Sequence, residues 1–122
     1  MSMNVALNII FIVLIGWFMI SRFLPVKGVK NISTKELKAE LKKKNNLFID
    51  VRTPGEFRSN HIHGFRNIPL NELPQRANSL DKQKEIIVIC QSGMRSKIAT
   101  KILKKLGFKH IINVSGGMGA WN

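Results

Sequence analysis

The residue whose type and sequence surroundings best indicate a chemical function is the single cysteine. Cys90 follows the apolar run at residues 86–89 and precedes a short turn, Arg95 and a lysine-rich amphipathic segment. This order predicts a buried strand, a loop and a helix, so that backbone N–H groups and the positive end of the helix point at the thiol. Arg95 would add a fixed positive charge with several hydrogen-bond donors. We therefore predict a reactive thiolate, rather than an inert buried cysteine.

The loop after the cysteine has the composition of an anion-binding nest. We expect its amides to converge on the sulfur and on whatever the sulfur carries, without a metal or cofactor. Gly93 permits a positive φ, Ser92 and Ser96 add hydroxyl groups, and Ser96 is placed to cap the following helix. Arg95 either holds an anionic substrate or braces the loop through carbonyl contacts. The full predicted loop is Gln91, Ser92, Gly93, Met94, Arg95 and Ser96.

Two charged residues are predicted near this loop. Asp50 and Arg52 follow a short apolar strand that should run parallel to the strand before Cys90, so both should emerge at the same end of the sheet. They are either supporting residues of the site or a structural ion-pair network, for example Arg52 with Glu56, and we favour the network. His61 and His63 are assigned to a turn or the surface, because an ionised thiol needs no histidine base.

Composition excludes several classes of protein. One cysteine in 122 residues rules out an intrachain disulfide and a cysteine-based zinc site. Lys and Arg number 20 against 7 acidic residues, for a net charge of +13. No nucleic-acid motif accompanies this charge. Tyrosine is also absent, so the sequence gives little support for nucleic-acid binding through stacking of bases on aromatic side chains. Attraction to anionic lipid explains the charge better than nucleic-acid binding.

The N-terminal segment predicts a membrane anchor. Residues 5–20 read VALNIIFIVLIGWFMI, and with Phe23 and Leu24 they reach the roughly 20 residues that span a bilayer as a helix. A cleaved signal peptide would have basic residues before the apolar core and a small-residue cleavage site after it, and neither is present. Residues 1–24 are therefore predicted as a transmembrane anchor that contacts lipid through residues 5–24.

The positions of the first cations predict the orientation of this anchor. Arg22, Lys27 and Lys30 all follow the apolar span, so the positive-inside rule places the remainder of the chain in the cytoplasm. Residues 25–30 (PVKGVK) would form a basic linker at the membrane surface. The prediction is a single-pass protein of the cell membrane with a cytoplasmic domain over residues 31–122, which is one domain by length.

Residues 31–122 alternate between helical and strand patterns. The predicted strands cover residues 47–51, part of 61–69, 86–89 and 111–114. Helices should begin at a capping box of Ser33 with Glu36, at Thr53 followed by Pro54, and at Asn71, and the first should extend to about Lys44 with Leu37 and Leu41 inward.

The last helix is predicted from about Arg95 to a stop at Gly107. Its inward positions are Ile98, Ile102 and Leu106, and Lys97, Lys101, Lys104 and Lys105 face outward. Strands separated by helices require a mostly parallel sheet covered on both faces.

Four segments in this order resemble the rhodanese family of sulfurtransferases in its single-domain form. They are DVRTPGEF (residues 50–57), HIHGFRNIPL (61–70), CQSGMRS (90–96) and GGMGAW (116–121). The resemblance covers residues 31–122, with Asn60 in place of the usual glycine before His61. It implies an α/β fold with a central, mostly parallel five-stranded sheet and helices on both faces. It also implies that Cys90 carries sulfur as a persulfide.

The predicted reaction moves sulfane sulfur from thiosulfate or a persulfide to a thiol, cyanide or protein acceptor. One alternative is a cysteine phosphatase or arsenate reductase, whose related loop has five residues between cysteine and arginine where this chain has four. Another alternative is a membrane-tethered persulfide carrier or binding module that turns over small molecules poorly.

Overall fold

The computed structural model describes residues 2–24, 26–43 and 45–122. Helix α1 (Met3–Phe23) precedes strand β1 (Val29–Ile32) and helix α2 (Thr34–Glu40). Then follow β2 (Leu47–Asp50), α3 (Pro54–Ser59), β3 (Arg66–Asn67), α4 (Leu73–Arg76), β4 (Ile86–Ile89), α5 (Met94–Lys105) and β5 (Ile111–Val114). Short 3₁₀ turns cover Leu70–Glu72, Ala77–Ser79 and Gly117–Ala120. The predicted extension of α2 to about Lys44 is wrong, because the helix ends at Glu40 and residues 41–43 are not helical; Lys44 itself lies outside the described residues.

The five strands form one parallel sheet in the order β1-β5-β4-β2-β3. All strands begin at one end, called here the amino end, and finish at the other, the carboxyl end. Because β2 and β4 pair with Asp50 opposite Ile89, the residues that follow both strands emerge together at the carboxyl end. The predicted α/β fold with a five-stranded parallel sheet is confirmed.

Strand β1 is the element that the sequence analysis missed. Val29 and Lys30, placed in the predicted linker, pair with Ile111 and Ile112 of β5. The burial pattern of β1 explains the omission: of its four residues, only Ile32 is fully buried, so the segment lacks an apolar run. The first strand of the sheet therefore begins at Val29, inside the predicted linker.

The core consists of two apolar layers, one on each face of the sheet. Alternation along β4 sends Ile86, Val88 and Cys90 to the layer beneath α4 and α5. Ile87 and Ile89 point to the opposite layer, beneath α2. Every residue of β4 is 0% exposed, as a central strand of a parallel sheet requires.

Capping explains two of the helix starts. Ser33 and Glu36 form the predicted capping box of α2, and Thr53 and Glu56 form another at the start of α3. The predicted cap at Asn71 is wrong. Residues 70–72 form a 3₁₀ turn, and α4 begins at Leu73 without a side-chain cap.

The predicted inner face of α5 is partly wrong. Its buried residues are Ser96, Ala99, Thr100 and Leu103, and Ile98 is 51% exposed. Ile102 and Leu106 are only partly buried, although they pack against the core. The buried face of α5 consists mostly of small residues, which allow the helix to pack closely on the sheet. The pattern of apolar residues alone therefore predicted the wrong face of the helix.

This rotation predicts unequal effects of two substitutions on α5. Leu103→Ala should remove about 2–5 kcal/mol from the free energy of unfolding, because it opens a cavity in the core. The matched substitution Ile98→Ala should change it by only about 1 kcal/mol or less, since Ile98 is 51% exposed and lies outside the buried core. Thermal unfolding of the full chain in mild detergent measures both. Equal losses would contradict the observed orientation of α5.

Candidate active site

Cys90 lies directly after β4, in the core layer beneath α5, and its side chain is 0% exposed. The N–H of Gly93 donates to Cys90 Sγ at 3.0 Å. Among the described residues this is the one loop amide that hydrogen-bonds the sulfur itself, and the convergence of the other loop amides on a bound sulfur stays a prediction. The chain can fold back so that the Gly93 N–H reaches the sulfur of a residue three positions earlier, because Gly93 has a φ of 105°. A positive φ at this glycine was predicted.

Ser96 has a different role from the predicted helix cap. Helix α5 begins at Met94 with Gly93 in the N-cap position, so Ser96 lies within the first turn. Its Oγ is 3.3 Å from Cys90 Sγ and donates to the carbonyl of Gly93 at 3.1 Å. The side chain is fully buried between the cysteine and its own helix.

The Ser96 hydroxyl can serve both protonation states of the sulfur. When Cys90 is a thiol, its S–H donates to Ser96 Oγ and the serine proton goes to the Gly93 carbonyl. When the thiol proton leaves, rotation of the serine O–H supplies a donor to the thiolate. The Gly93 carbonyl still accepts a hydrogen bond from the N–H of Lys97 at 3.3 Å, so it keeps a partner when the serine proton turns away.

Arg95 is engaged by a carboxylate, a partner that the sequence analysis did not consider. Its Nη1 and Nη2 donate to the two carboxylate oxygens of Glu56 on α3, at 2.7 and 2.9 Å. This pair joins the loop after Cys90 to the helix after β2. Both side chains remain 35% exposed, so solvent moderates their attraction. The expected ion pair of Arg52 with Glu56 is wrong, because the Glu56 carboxylate is taken by Arg95.

The Glu56–Arg95 pair shifts both ionisation equilibria. Hydrogen bonds from the Arg95 side chain, followed by that from the Thr53 backbone, lower the pKa of Glu56 from 4.5 to about 2. The same hydrogen bond to Glu56 raises the pKa of Arg95 above its usual value. The pair is therefore fully ionised at neutral pH.

Asp50 and Arg52 form the structural ion pair that the sequence favoured. The Arg52 guanidinium donates to Asp50 through Nη2 at 2.8 Å and through Nε at 3.0 Å, and the two residues are 3% and 0% exposed. Arg52 also reaches the carbonyl of Asn60 at 2.6 Å and Oε1 of Gln91 at 3.5 Å. It thus ties the end of β2 to α3 and to the loop.

The glycine-rich segment at residues 116–121 closes the other side of the loop. Met118 and Gly119 donate their N–H groups to the carbonyls of Cys90 and Gln91, at 2.8 and 2.9 Å. A Cβ on Gly117 would lie 2.2 Å from the Cys90 carbonyl oxygen, and its φ is 57°. The sequence analysis used this segment only as a family motif; three glycines in four residues were the signal for close backbone packing.

The remaining predicted residues lie around the site without touching the sulfur. Gln91 and Ser92 are exposed at the mouth of the loop, and Met94 is 51% exposed. Two cavities flank the loop: one of about 460 Å³ beside Ser92 and Met94, and one of about 340 Å³ beside Arg52 and Gln91. His61 and His63 are exposed, as predicted, and His61 stacks on Phe57.

The lowered pKa of Glu56 predicts an acid-dependent loss of stability. A carboxyl whose pKa falls from 4.5 to about 2 on folding stabilises the folded state above pH 4.5, and this contribution disappears as the pH falls toward 2. Glu56→Gln should lower the unfolding temperature at pH 6 and converge on the wild type near pH 2. Thermal unfolding of both proteins across this range tests the pair. A pH-independent difference would contradict it.

The comparisons with known proteins agree with this geometry. The model of the rhodanese-like domain family matches residues 33–122. The uncharacterized protein YqhL of Bacillus subtilis is 36% identical over 118 residues, which cover 97% of this chain and 92% of that protein. The thiosulfate sulfurtransferase PspE of Escherichia coli is 37% identical over 71 residues, covering 57% and 68% of the two chains.

A solved structure shares the fold. The rhodanese-like domain protein of Staphylococcus aureus superposes with a TM-score of 0.70 at 35% identity, covering 76% of this chain and 91% of the other. The chain spans only about half (51%) of a longer Bacillus subtilis relative to which it is 42% identical over 95 residues. Its folded part nevertheless matches the family model from the first turn of α2 to the last residue, and the chain belongs to the rhodanese-like domain family.

Proposed function

We propose that this protein is a sulfurtransferase that carries sulfane sulfur as a persulfide on Cys90. The observation that carries the proposal is the hydrogen bonding of Cys90 Sγ, with the Gly93 N–H at 3.0 Å and the Ser96 hydroxyl at 3.3 Å, at the start of α5. These donors stabilise a thiolate without any metal. The family assignment and the name of PspE, a thiosulfate sulfurtransferase, support the same chemistry.

The reaction has two balanced steps. The Cys90 thiolate attacks the outer sulfur of thiosulfate; the S–S bond of thiosulfate breaks, sulfite leaves with the bonding electron pair, and a cysteine persulfide anion remains. A thiolate or cyanide then attacks the terminal sulfur of the persulfide. The new bond forms the acceptor's persulfide or thiocyanate, and the Cys90 thiolate is regenerated. No proton transfer by a histidine is required, which suits the exposed positions of His61 and His63.

The surrounding residues are proposed to hold the loop in the geometry that this cycle needs. Arg95 uses both terminal nitrogens on Glu56, so bracing is its proposed role, and its charge adds a favourable background for anions. Arg52 and Asp50 fix the neighbouring loop from the β2 side. The N–H groups of Met94, Arg95 and Ser96, at the start of α5, would face negative charge on a bound sulfur.

Replacement of the nucleophile tests this proposal. Cys90→Ser should abolish the mass increase of one sulfur atom that wild-type protein shows after incubation with thiosulfate, and should abolish thiocyanate formation from cyanide. Ile98→Ala is the matched control and should keep both, because Ile98 is half exposed and lies outside the buried core and the loop. Sulfur transfer by the serine variant would overturn the mechanism. Turnover of an aryl phosphate in place of thiosulfate would favour the phosphatase alternative.

We also propose that α1 anchors the protein in the cell membrane. It is 21 residues long, and its apolar side chains are exposed, for example Phe11 at 64% and Trp17 at 72%. At about 1.5 Å per residue this length spans the hydrocarbon core. The proposed organisation is an anchor over residues 1–24, a short linker, and the rhodanese-like domain on the cytoplasmic side, since the first cations follow the span.

Membrane fractionation tests the anchor and its orientation. The full-length protein should sediment with membranes and resist alkaline carbonate extraction. Protease added outside intact cells should leave the domain whole, with a periplasmic or surface protein as the positive control for digestion. Digestion of the domain there would reverse the orientation. A shortened, freely soluble native form would favour a cleaved signal sequence instead.

A further inference from the structure

The short segment between α1 and Val29, called here the tether, enters the domain at the amino end of the sheet. Val29 begins β1 and lies opposite Ile111, the first residue of β5. Cys90 follows the last residue of β4 and therefore lies at the other end. At about 3.3 Å per residue, its Cα is roughly 13 Å from that of Ile86 along the strand. Cys90 and the start of β1 thus lie at opposite ends of the sheet.

The connection between α1 and the domain is short and held in place. Val29 donates its N–H to the carbonyl of Val26 at 3.1 Å, and Lys104 Nζ hydrogen-bonds the carbonyl of Lys27. The chain from Val26 onward is therefore part of the folded domain. A single residue separates Val26 from Leu24, where α1 ends, and it can span only about 7 Å between their Cα atoms. A bilayer crossed by α1 must therefore face the amino end of the sheet.

Basic residues cluster at this amino end. They lie in the tether, in the loops that precede β2, β4 and β5, and in the last turn of α5: Lys27, Lys42, Lys43, Lys82, Lys84, Lys104, Lys105 and Lys109. The three loops are adjacent, because Leu47 and Ile86 donate their N–H groups to the carbonyls of Glu85 and His110 at 2.8 Å. Helix carboxyl ends favour cations here as well.

Acidic residues do not balance this cluster. The same surface holds Glu40, Asp81 and Glu85, against eight lysines. Within the described part of the chain, Lys43 with Glu40 is the one salt bridge that these lysines form, at 3.2 Å. At the carboxyl end, Arg52 and Arg95 are each matched by a carboxylate.

We infer that the eight-lysine amino end is a docking surface for anionic lipid headgroups, which holds the domain against the bilayer with Cys90 turned toward the aqueous phase. This inference rests on the proposed membrane anchor and is independent of the sulfur chemistry. Lipid charge acts over a Debye length of about 8 Å, so it reaches the lysines of the amino end and is screened at the carboxyl end. Sulfur donors and acceptors then approach Cys90 from solution.

Lysine footprinting of the full chain tests this orientation. The protein is placed in nanodiscs of phosphatidylcholine alone or mixed with phosphatidylglycerol, treated with an acetylating reagent and analysed by mass spectrometry. Lys84, Lys105 and Lys109 should react at least about threefold more slowly in the anionic discs, and high salt should remove the difference. Lys35, exposed at the first turn of α2 near the carboxyl end, should react equally in both.

A matched pair of variants separates docking from other causes of protection. The triple variant Lys84→Gln, Lys105→Gln and Lys109→Gln should lose the lipid-dependent protection of Lys42, whereas Lys35→Gln should keep it. Equal acetylation in the two kinds of disc, or lipid-dependent protection of Lys35, would overturn the inference. A chain that stays out of the discs would overturn the anchor and this orientation together. Sulfur transfer, assayed on the same samples, reports separately on Cys90.

Discussion

Burial of β4 on both faces is the constraint on which the site depends. This strand lies third of five in the sheet, and all four of its residues are fully buried. Each buried isoleucine contributes about 1.5–3 kcal/mol, so a change of register or of facing would be costly. This burial fixes which side chains along β4 face each core layer, and by the same alternation Cys90 must point toward α5. The reactive atom is therefore positioned by packing, before any residue of the loop acts on it.

Two kinds of bond then fix the loop around the sulfur. Side-chain contacts hold it from the β2 side, where Arg95 forms an ion pair with Glu56 and Arg52 donates a hydrogen bond to Gln91. Backbone hydrogen bonds hold it from the other side, where Met118 and Gly119 bind the carbonyls of Cys90 and Gln91. The close approach at Gly117 excludes any side chain there. A loop held on both sides presents its donors in a fixed geometry, which is what stabilisation of a sulfur anion requires.

The two ends of the parallel sheet have different electrostatic characters. At the carboxyl end Arg52 and Arg95 each have a carboxylate partner, so the field near the sulfur is shaped by local hydrogen bonds and by the start of α5. At the amino end the lysines outnumber the acids and face solvent around the tether. A parallel sheet separates these ends by the length of its strands, and this separation would allow the proposed membrane attachment and the proposed sulfur chemistry to proceed without interfering.

The sequence by itself determined the fold class, four of the five strands, one capping box, the N-cap at Thr53 and the candidate cysteine with its loop. These features depend on short-range patterns, such as the apolar run at residues 86–89 or Ser33 with Glu36, that are complete within a few residues. The tertiary structure decided the rest. It assigned the Glu56 carboxylate to Arg95, separated by 39 residues, turned Ile98 outward, and added β1 to the sheet. Each of these outcomes depends on a distant partner, and local periodicity carries no information about which distant group a side chain will meet.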